Sequence, residues 1–535
     1  MDDGPDIPGN PPQTSRTLSW GVVREPDANV NIDPSDTSPL LRNQSGGSDE
    51  KATGMTGRLA CAILACVVGT SFQYGYHIGV VNPPESVLES FINQTQFARD
   101  GKGFSADSIT WLWSAIVSIF CLGGMIGGVV FGYFADRLGR KGTMLLNNVV
   151  LVAAVLLMSL SKVAGSYEML IAGRFIVGVS CGINTGIAPL YLSEIAPVEL
   201  RGAAGTINQF AIVTAIMIAQ ILGLTQILGT ADRWPYLIGF SLIPAAIQLV
   251  TLPFCPETPR YLIITKDDTV KAKEALVSLR GSLNVHEDVA EIQAEFESSK
   301  NDTKVTCCDL FTISYLKWPT IISVVLQFSQ QFSGINAVIF YSTALFESAG
   351  LTLENAIYGT IGVAGVNVVM TFISVILMDR AGRRTLHLYG LAGMWVFSVL
   401  ITVSFLWKEQ WPPFTYIAII FTIGFMMMFA IGPGSIPWLM VAELFPQGPR
   451  GTAMSLAVMC NWFGAFVIGL GFRWMQKGLG NYTFIPFSVL LAVFWIFTYC
   501  KVPETKNKTI QEISLTFRNN MREPTGYKTF QNHDD

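Results

Sequence analysis

Twelve long apolar stretches, separated by short polar breaks, run from residue 57 to residue 501. They lie near 57–80, 110–133, 143–161, 168–191, 202–225, 234–254, 317–343, 355–378, 386–407, 414–441, 451–473 and 480–501. Each is about the length an α-helix needs to cross ~30 Å of hydrocarbon. Two longer polar stretches interrupt the series, a loop at 81–109 and a linker at 255–316. In the linker, Lys271-Ala272-Lys273-Glu274-Ala275-Leu276 and Val289-Ala290-Glu291-Ile292-Gln293-Ala294-Glu295-Phe296 have helical spacing, which predicts a small amphipathic bundle on the membrane surface. Residues 1–54 are too poor in apolar side chains to pack and predict a disordered tail.

Three charged motifs are written twice. Asp136-Arg137-Leu138-Gly139-Arg140-Lys141 recurs as Asp379-Arg380-Ala381-Gly382-Arg383-Arg384, an offset of 379 − 136 = 243. Pro256-Glu257-Thr258-Pro259-Arg260 returns as Pro503-Glu504-Thr505-Lys506, an offset of 503 − 256 = 247. Glu194 with Arg201 matches Glu443 with Arg450, an offset of 443 − 194 = 249. The chain therefore reads as two homologous six-helix membrane repeats, 55–254 and 317–502, joined by the linker and followed by a tail at 503–535. Two parallel halves of this kind make a carrier whose substrate site lies at their interface. Charges at helix ends are tolerated when they pair with one another. The duplicated set predicts a two-state latch that locks the inner faces of the two halves together and breaks when they rock apart. Arg383 and Arg384, taken alone, read as plain charge on one membrane side. Arg174, alone inside the fourth stretch, is expected to pair with Glu194 or Glu443.

Half of the 535 residues are hydrophobic and 14% are charged, too little charge to cover a soluble surface of this size. A net charge of −4 gives no footing for nucleic acid. The nine cysteines lie mostly in apolar runs or beside basic loops, and 81–109 has none, so no structural disulfide is expected. The polar first fifty residues do not read as a secretory signal. The basic residues of the duplicated loops and the linker fall on one side, which the positive-inside rule makes cytoplasmic, together with both termini. The 81–109 loop then faces outward and carries Asn93-Gln94-Thr95, a glycosylation acceptor. Asn43, Asn301 and Asn507 would be cytoplasmic, and Asn481 hugs a helix end. In the tail, Asp36-Thr37-Ser38-Pro39-Leu40-Leu41 is either an acidic dileucine signal for a sorting adaptor or an unread linker. A used signal would allow cycling between the plasma membrane and internal vesicles. The four histidines, 77, 286, 387 and 533, form no catalytic constellation or metal motif, and no cofactor is expected.

Several motifs occur in one order: Gly173-Arg174-Phe175, Pro256 to Arg260, Gln330-Gln331-Phe332-Ser333-Gly334-Ile335-Asn336, Gly432-Pro433-Gly434-Ser435-Ile436-Pro437-Trp438, and Pro503 to Lys506. With them the chain, from about 57 to 515, resembles the sugar porters of the major facilitator superfamily, and within these the animal facilitative glucose transporters. The resemblance implies an all-α polytopic membrane protein, twelve transmembrane helices in the major facilitator fold, with a small cytoplasmic helical linker domain. It implies a passive hexose uniporter of the plasma membrane, not an enzyme. The alternatives are a dual glucose/fructose facilitator, a proton-coupled sugar symporter and a non-transporting sugar sensor.

A hexose leaving water needs matching donors and acceptors, because an unpaired buried polar group costs about 1–3 kcal/mol. Amides both donate and accept. Gln330, Gln331 and Asn336 cluster in the seventh stretch beside Gly334, which can loosen the helix. Asn367, Gln209 and Asn461 lie in the eighth, fifth and eleventh. Five of these six belong to the second half, which predicts an asymmetric site. The resemblance carries sugar binding onto all six. Trp438, after a helix-breaking run, and Trp462, beside Asn461, offer faces for the C–H side of a sugar ring. Trp474 and Trp318 sit near helix ends and fit an interface belt better.

The chain departs from the glucose carriers in places. Phe328 replaces their usual Leu in the Gln327-Phe328-Ser329 run, and Ser71-Phe72-Gln73 is closer to the fructose-type relative. Ala430 stands where an acid is usual. Trp438, by contrast, is the residue of glucose carriers. His77 stands where symporters have Asp and facilitators Asn. It serves either as an amide substitute or as a group that makes transport pH-sensitive. No Asp or Glu lies in the middle of any of the twelve stretches, which favours uniport over symport.

Overall fold

The computed structural model describes residues 55–197, 200–300, 305–411, 413–506, 508, 512, 513 and 517. The tail with Asp36–Leu41, and Asn43, Asn301 and Asn507, lie outside the described residues.

The first span is α1 (Gly57–Gly69) and α2 (Ser71–Gly79). They meet at Thr70, whose hydroxyl donates to the Cys66 carbonyl at 2.6 Å and competes with the helix ladder there. Next come α3 (Glu85–Asp100), α4 (Ala106–Ala164), α5 (Tyr167–Ile195), α6 (Arg201–Leu222), and α7 (Trp234–Gly239) with α8 (Leu242–Thr251). The linker holds α9 (Pro259–Ile264), α10 (Thr269–Arg280), α11 (His286–Lys300) and α12 (Asp309–Thr312). Ile263, Ala272, Leu276, Val285 and Val289 form its small core. The second half comprises α13 (Ser314–Gln330), α14 (Asn336–Ser348), α15 (Leu353–Ala381), α16 (Arg383–Trp407), α17 (Phe414–Ile431), α18 (Ile436–Leu444), α19 (Gln447–Leu479) and α20 (Ile485–Lys501).

Among the described residues, nine helical stretches are long and apolar enough to cross a membrane. One of these, Ala106–Ala164, holds both the second and the third sequence spans. The seventh, split into α13 and α14 by a widened turn at Gln331–Ile335, and the twelfth, the 17-residue α20, complete the twelve.

The 81–109 stretch is not the loop expected. It folds into α3, whose Leu88 and Ile92 are buried four residues apart on one face. Asn93 sits half-buried on this helix, and its side-chain carbonyl accepts the Phe104 N–H at 2.8 Å.

The duplicated loops explain their glycines. Within α4 the chain turns at Gly139 (φ 80°, ψ 173°), and between α15 and α16 at Gly382 (φ 88°, ψ 159°). These are backbone conformations open essentially to glycine alone. A Cβ would also lie 2.2 Å from Oε2 of Glu257 at residue 139, and 2.8 Å from Oε2 of Glu504 at residue 382. Gly139→Ala should therefore cost about 1–3 kcal/mol from the backbone conformation alone. A lowered Tm of the purified protein in detergent is the expected result, and an unchanged Tm would contradict the account.

Candidate functional site

The tenth span is broken between α17 and α18, and the break builds a polar site. Pro437 has no N–H, so the carbonyl of Pro433, its acceptor in a regular helix, has no ladder partner there. Gln330 Nε2 donates to the carbonyls of Pro433 and Gly434 at 2.7 and 2.8 Å. Its Oε1 accepts from Asn461 Nδ2 at 2.5 Å. Asn461 Nδ2 also donates to Gln327 Oε1 at 2.7 Å, and Asn461 Oδ1 accepts from Gln331 Nε2 at 2.9 Å. Asn336 Nδ2 donates to Gln331 Oε1. All five amides are buried. Gln327 was not among the candidates, although it lies three residues before Gln330 on the same helix face. Its Nε2 has no bond among the described residues.

Trp462 carries the site to the other half. Its ring lies 5.7 Å from that of Tyr74 on α2 and 5.6 Å from that of Phe120 on α4. A Cβ on Gly124 would come within 2.5 Å of the indole, so glycine makes room for it. Trp438, half-buried, packs against the main apolar core. Asn367 is buried on α15 and Gln209 half-buried on α6, two helices that pack together. Among the described residues no bond ties either to the five-amide cluster.

Arg174 does not pair with Glu194. The two are twenty residues apart on α5, about 30 Å along a helix. Arg174 instead donates to the His77 carbonyl at 3.0 Å and to the Ile116 carbonyl at 3.5 Å, with Phe120 4.4 Å beneath its guanidinium. Both ring nitrogens of His77 are buried and without bonds among the described residues.

The duplicated charges form two matching clusters, one in each half. Arg140 grips Glu194 through two bonds of 2.9 Å, and Glu257 accepts the backbone N–H of Arg140 at 3.1 Å. Arg383 donates to Glu443 at 3.1 Å, and Glu504 accepts the backbone N–H groups of Arg383 and Arg384 at 2.9 and 3.1 Å. Asp136 is only 3.9 Å from Arg140 and is largely exposed. Arg137 lies over the Tyr133 ring, and the Arg380 carbonyl accepts from Lys506. Arg450 bonds the Phe445 carbonyl, Arg260 lies in the first turn of α9, and Arg201 is exposed at the start of α6. The side chain of Asp379 lies outside the described residues. The pairs Arg140–Glu194 and Arg383–Glu443 thus run within a half, where a lock between halves was expected.

A family model for sugar (and other) transporters matches residues 61–517. The chain belongs to the sugar transporter family. This transporter is 46% identical over 469 residues to solute carrier family 2, facilitated glucose transporter member 1 of Gallus gallus, covering 88% of this chain and 95% of that one. It is 47% identical over 467 residues to member 4 of Homo sapiens, covering 86% and 91%. The inward open xylose transporter XylE of E. coli shares its fold with a TM-score of 0.71 at 23% identity, over 86% of this chain and 99% of that one.

Replacing Gln330 would strand the carbonyls of Pro433 and Gly434 as well as Asn461. Gln330→Ala should lower sugar uptake at least tenfold, the equivalent of about 1.4 kcal/mol. Measuring uptake per mole of protein in proteoliposomes checks this, and uptake at the parent level would remove Gln330 from the site.

Proposed function

We propose that this multi-pass membrane protein is a passive uniporter of hexose, D-glucose above all, working by alternating access between its halves. The observation that carries the proposal is the buried amide cluster at Gln327, Gln330, Gln331, Asn336 and Asn461, flanked by aromatic faces. Its amides bond one another, so an incoming sugar hydroxyl exchanges one hydrogen bond for another. Gln209, Asn367, Trp438 and Trp462 complete the proposed binding set. The names of the curated relatives point the same way. An enzymatic activity finds no support in a family of transporters.

The charged set is proposed to govern gating by holding each half rigid. Its members are Asp136, Arg137, Arg140, Arg174, Glu194, Arg201, Glu257 and Arg260 in the first half and linker. In the second half they are Asp379, Arg380, Arg383, Arg384, Glu443, Arg450 and Glu504. By the charge rule, the end with the duplicated motifs faces the cytoplasm with both termini, and α3 lies outside the plasma membrane. Asn93 is the proposed glycan acceptor and Asp36–Leu41 the proposed adaptor motif, open to vesicle cycling. His77 is proposed as a hydrogen-bonding substitute for an amide and not as a proton carrier, because the charge next to it is the cation Arg174. Phe328, stacked on Phe332 at 5.4 Å, keeps a dual glucose/fructose carrier as the second reading.

Labelled D-glucose should equilibrate in proteoliposomes holding only this protein, with or without an inward proton gradient and with little competition from D-fructose. Accumulation above equilibrium under the gradient would overturn uniport. Strong fructose competition would establish the dual carrier. His77→Asn should leave the equilibrium level unchanged, and Trp438→Ala should lower D-glucose uptake about tenfold, about 1.4 kcal/mol of lost contact.

A further inference from the structure

At the end of the bundle away from the duplicated motifs, the halves meet through charge. Arg473 stands on α19, and its Nη2 lies 3.3 Å from Oε1 of Glu85 and 3.5 Å from Oε1 of Glu89. Both acids are on α3 of the first half. Glu347, near the end of α14, acts on the same guanidinium. Three carboxylates therefore share one cation. Trp113 of α4 and Tyr341 of α14 also face Glu85. One turn further along α19, Lys477 pairs with Asp107 of α4. Asn82 closes the seam beside them, donating to the Ile339 carbonyl and the Ser342 hydroxyl at 2.8 Å each. The Glu85 side chain is only 8% exposed.

We propose that Arg473, gripping Glu85 and Glu89 across the seam, is the latch that holds the outer side of the carrier shut, and that shutting it takes up a proton from the outer solution. The proposal rests on the uniport reading, which puts α3 outside. Burial pushes the Glu85 carboxyl up to about 8, with Arg473 opposing, and burial raises Glu89 and Glu347 as well. When the halves part, Glu85 returns to water, where a glutamate titrates near ~4.3. Between these two values the shut state binds the extra proton. Acid outside therefore favours the shut state, by up to about tenfold per pH unit. The proton comes from the outside and returns there on reopening. It changes the rate of transport and drives no accumulation.

The test is initial uptake of D-glucose, well below half-saturation, at outside pH 5.5, 6.5 and 7.5 with the inside held at 7.5. The parent rate should fall at least threefold from pH 7.5 to 5.5, while the equilibrium level stays fixed. Glu85→Gln should lose most of that fall. Arg473→Gln leaves three carboxylates with no cation, so its fall should be steeper than the parent's. If Glu85→Gln does not fold, as judged by Tm, a shallower fall in Glu89→Gln serves in its place. A parent rate independent of outside pH would overturn the latch, and so would a fall unchanged in Glu85→Gln but abolished by His77→Asn. A change in the equilibrium level with pH would instead overturn uniport, and no uptake at any pH would overturn the transport reading and the latch with it.

Discussion

Hydrocarbon offers no hydrogen-bonding partner, so each polar group that enters it must be satisfied within the chain. The duplicated motifs are this constraint solved twice. The third and ninth spans each begin just after a glycine, with free backbone N–H groups at their first turn. Glu257 and Glu504 fill those positions with a carboxylate, which also suits the positive end of the helix dipole. The carboxylate occupies the place a Cβ would take, and that fixes the glycine. A second acid, Glu194 or Glu443, then neutralises the arginine that follows. Neither acid can replace the other, because one caps backbone and the other pairs with a guanidinium.

The same constraint builds the proposed substrate site. Proline at 437 breaks the ladder of the tenth span, and Gln330 reaches across from α13 to the carbonyls at the break. The remaining amides then close on one another. A network in which all but the Gln327 Nε2 donor bond one another or backbone keeps the empty carrier stable. That suits a uniporter, which must return empty through the same pair of states. It also limits affinity, since most bonds a sugar would make there replace ones already present, the open Gln327 Nε2 donor excepted.

Apolar run length made the twelve spans legible, because lipid thickness sets it directly. The Gly432-Pro433-Gly434 break was legible for a local reason, the missing N–H and the flexible glycines. The widened turn at Gln331–Ile335 answers to the loosening expected at Gly334. Partners were less legible. Charge alone matches Arg174 to Glu194, but helical rise puts that acid at the other end of the same helix, and backbone carbonyls accept from Nε and Nη1 of the guanidinium instead. Helix α3 reads as loop in the sequence because it is amphipathic and short of the hydropathy that marks a span. Gln327 is masked in the sequence by the departure at Phe328 beside it, although its three-residue spacing from Gln330 carries the signal.

The two ends of the bundle use charge differently. At the motif end, Arg140–Glu194 and Arg383–Glu443 join helices of a single half, so they need not break when the halves move. At the other end, Glu85–Arg473 and Asp107–Lys477 join opposite halves, so they must break. Exposed ion pairs are worth only about 0–1 kcal/mol each, which suits contacts that open in every cycle. Asp107–Lys477 is of this kind, with both side chains more than half exposed. Glu85 is buried, and a buried carboxylate that shares its one cation with two other acids holds a proton more cheaply than a charge. A contact that must break in every cycle is thus, in the proposed latch, also open to adjustment by pH.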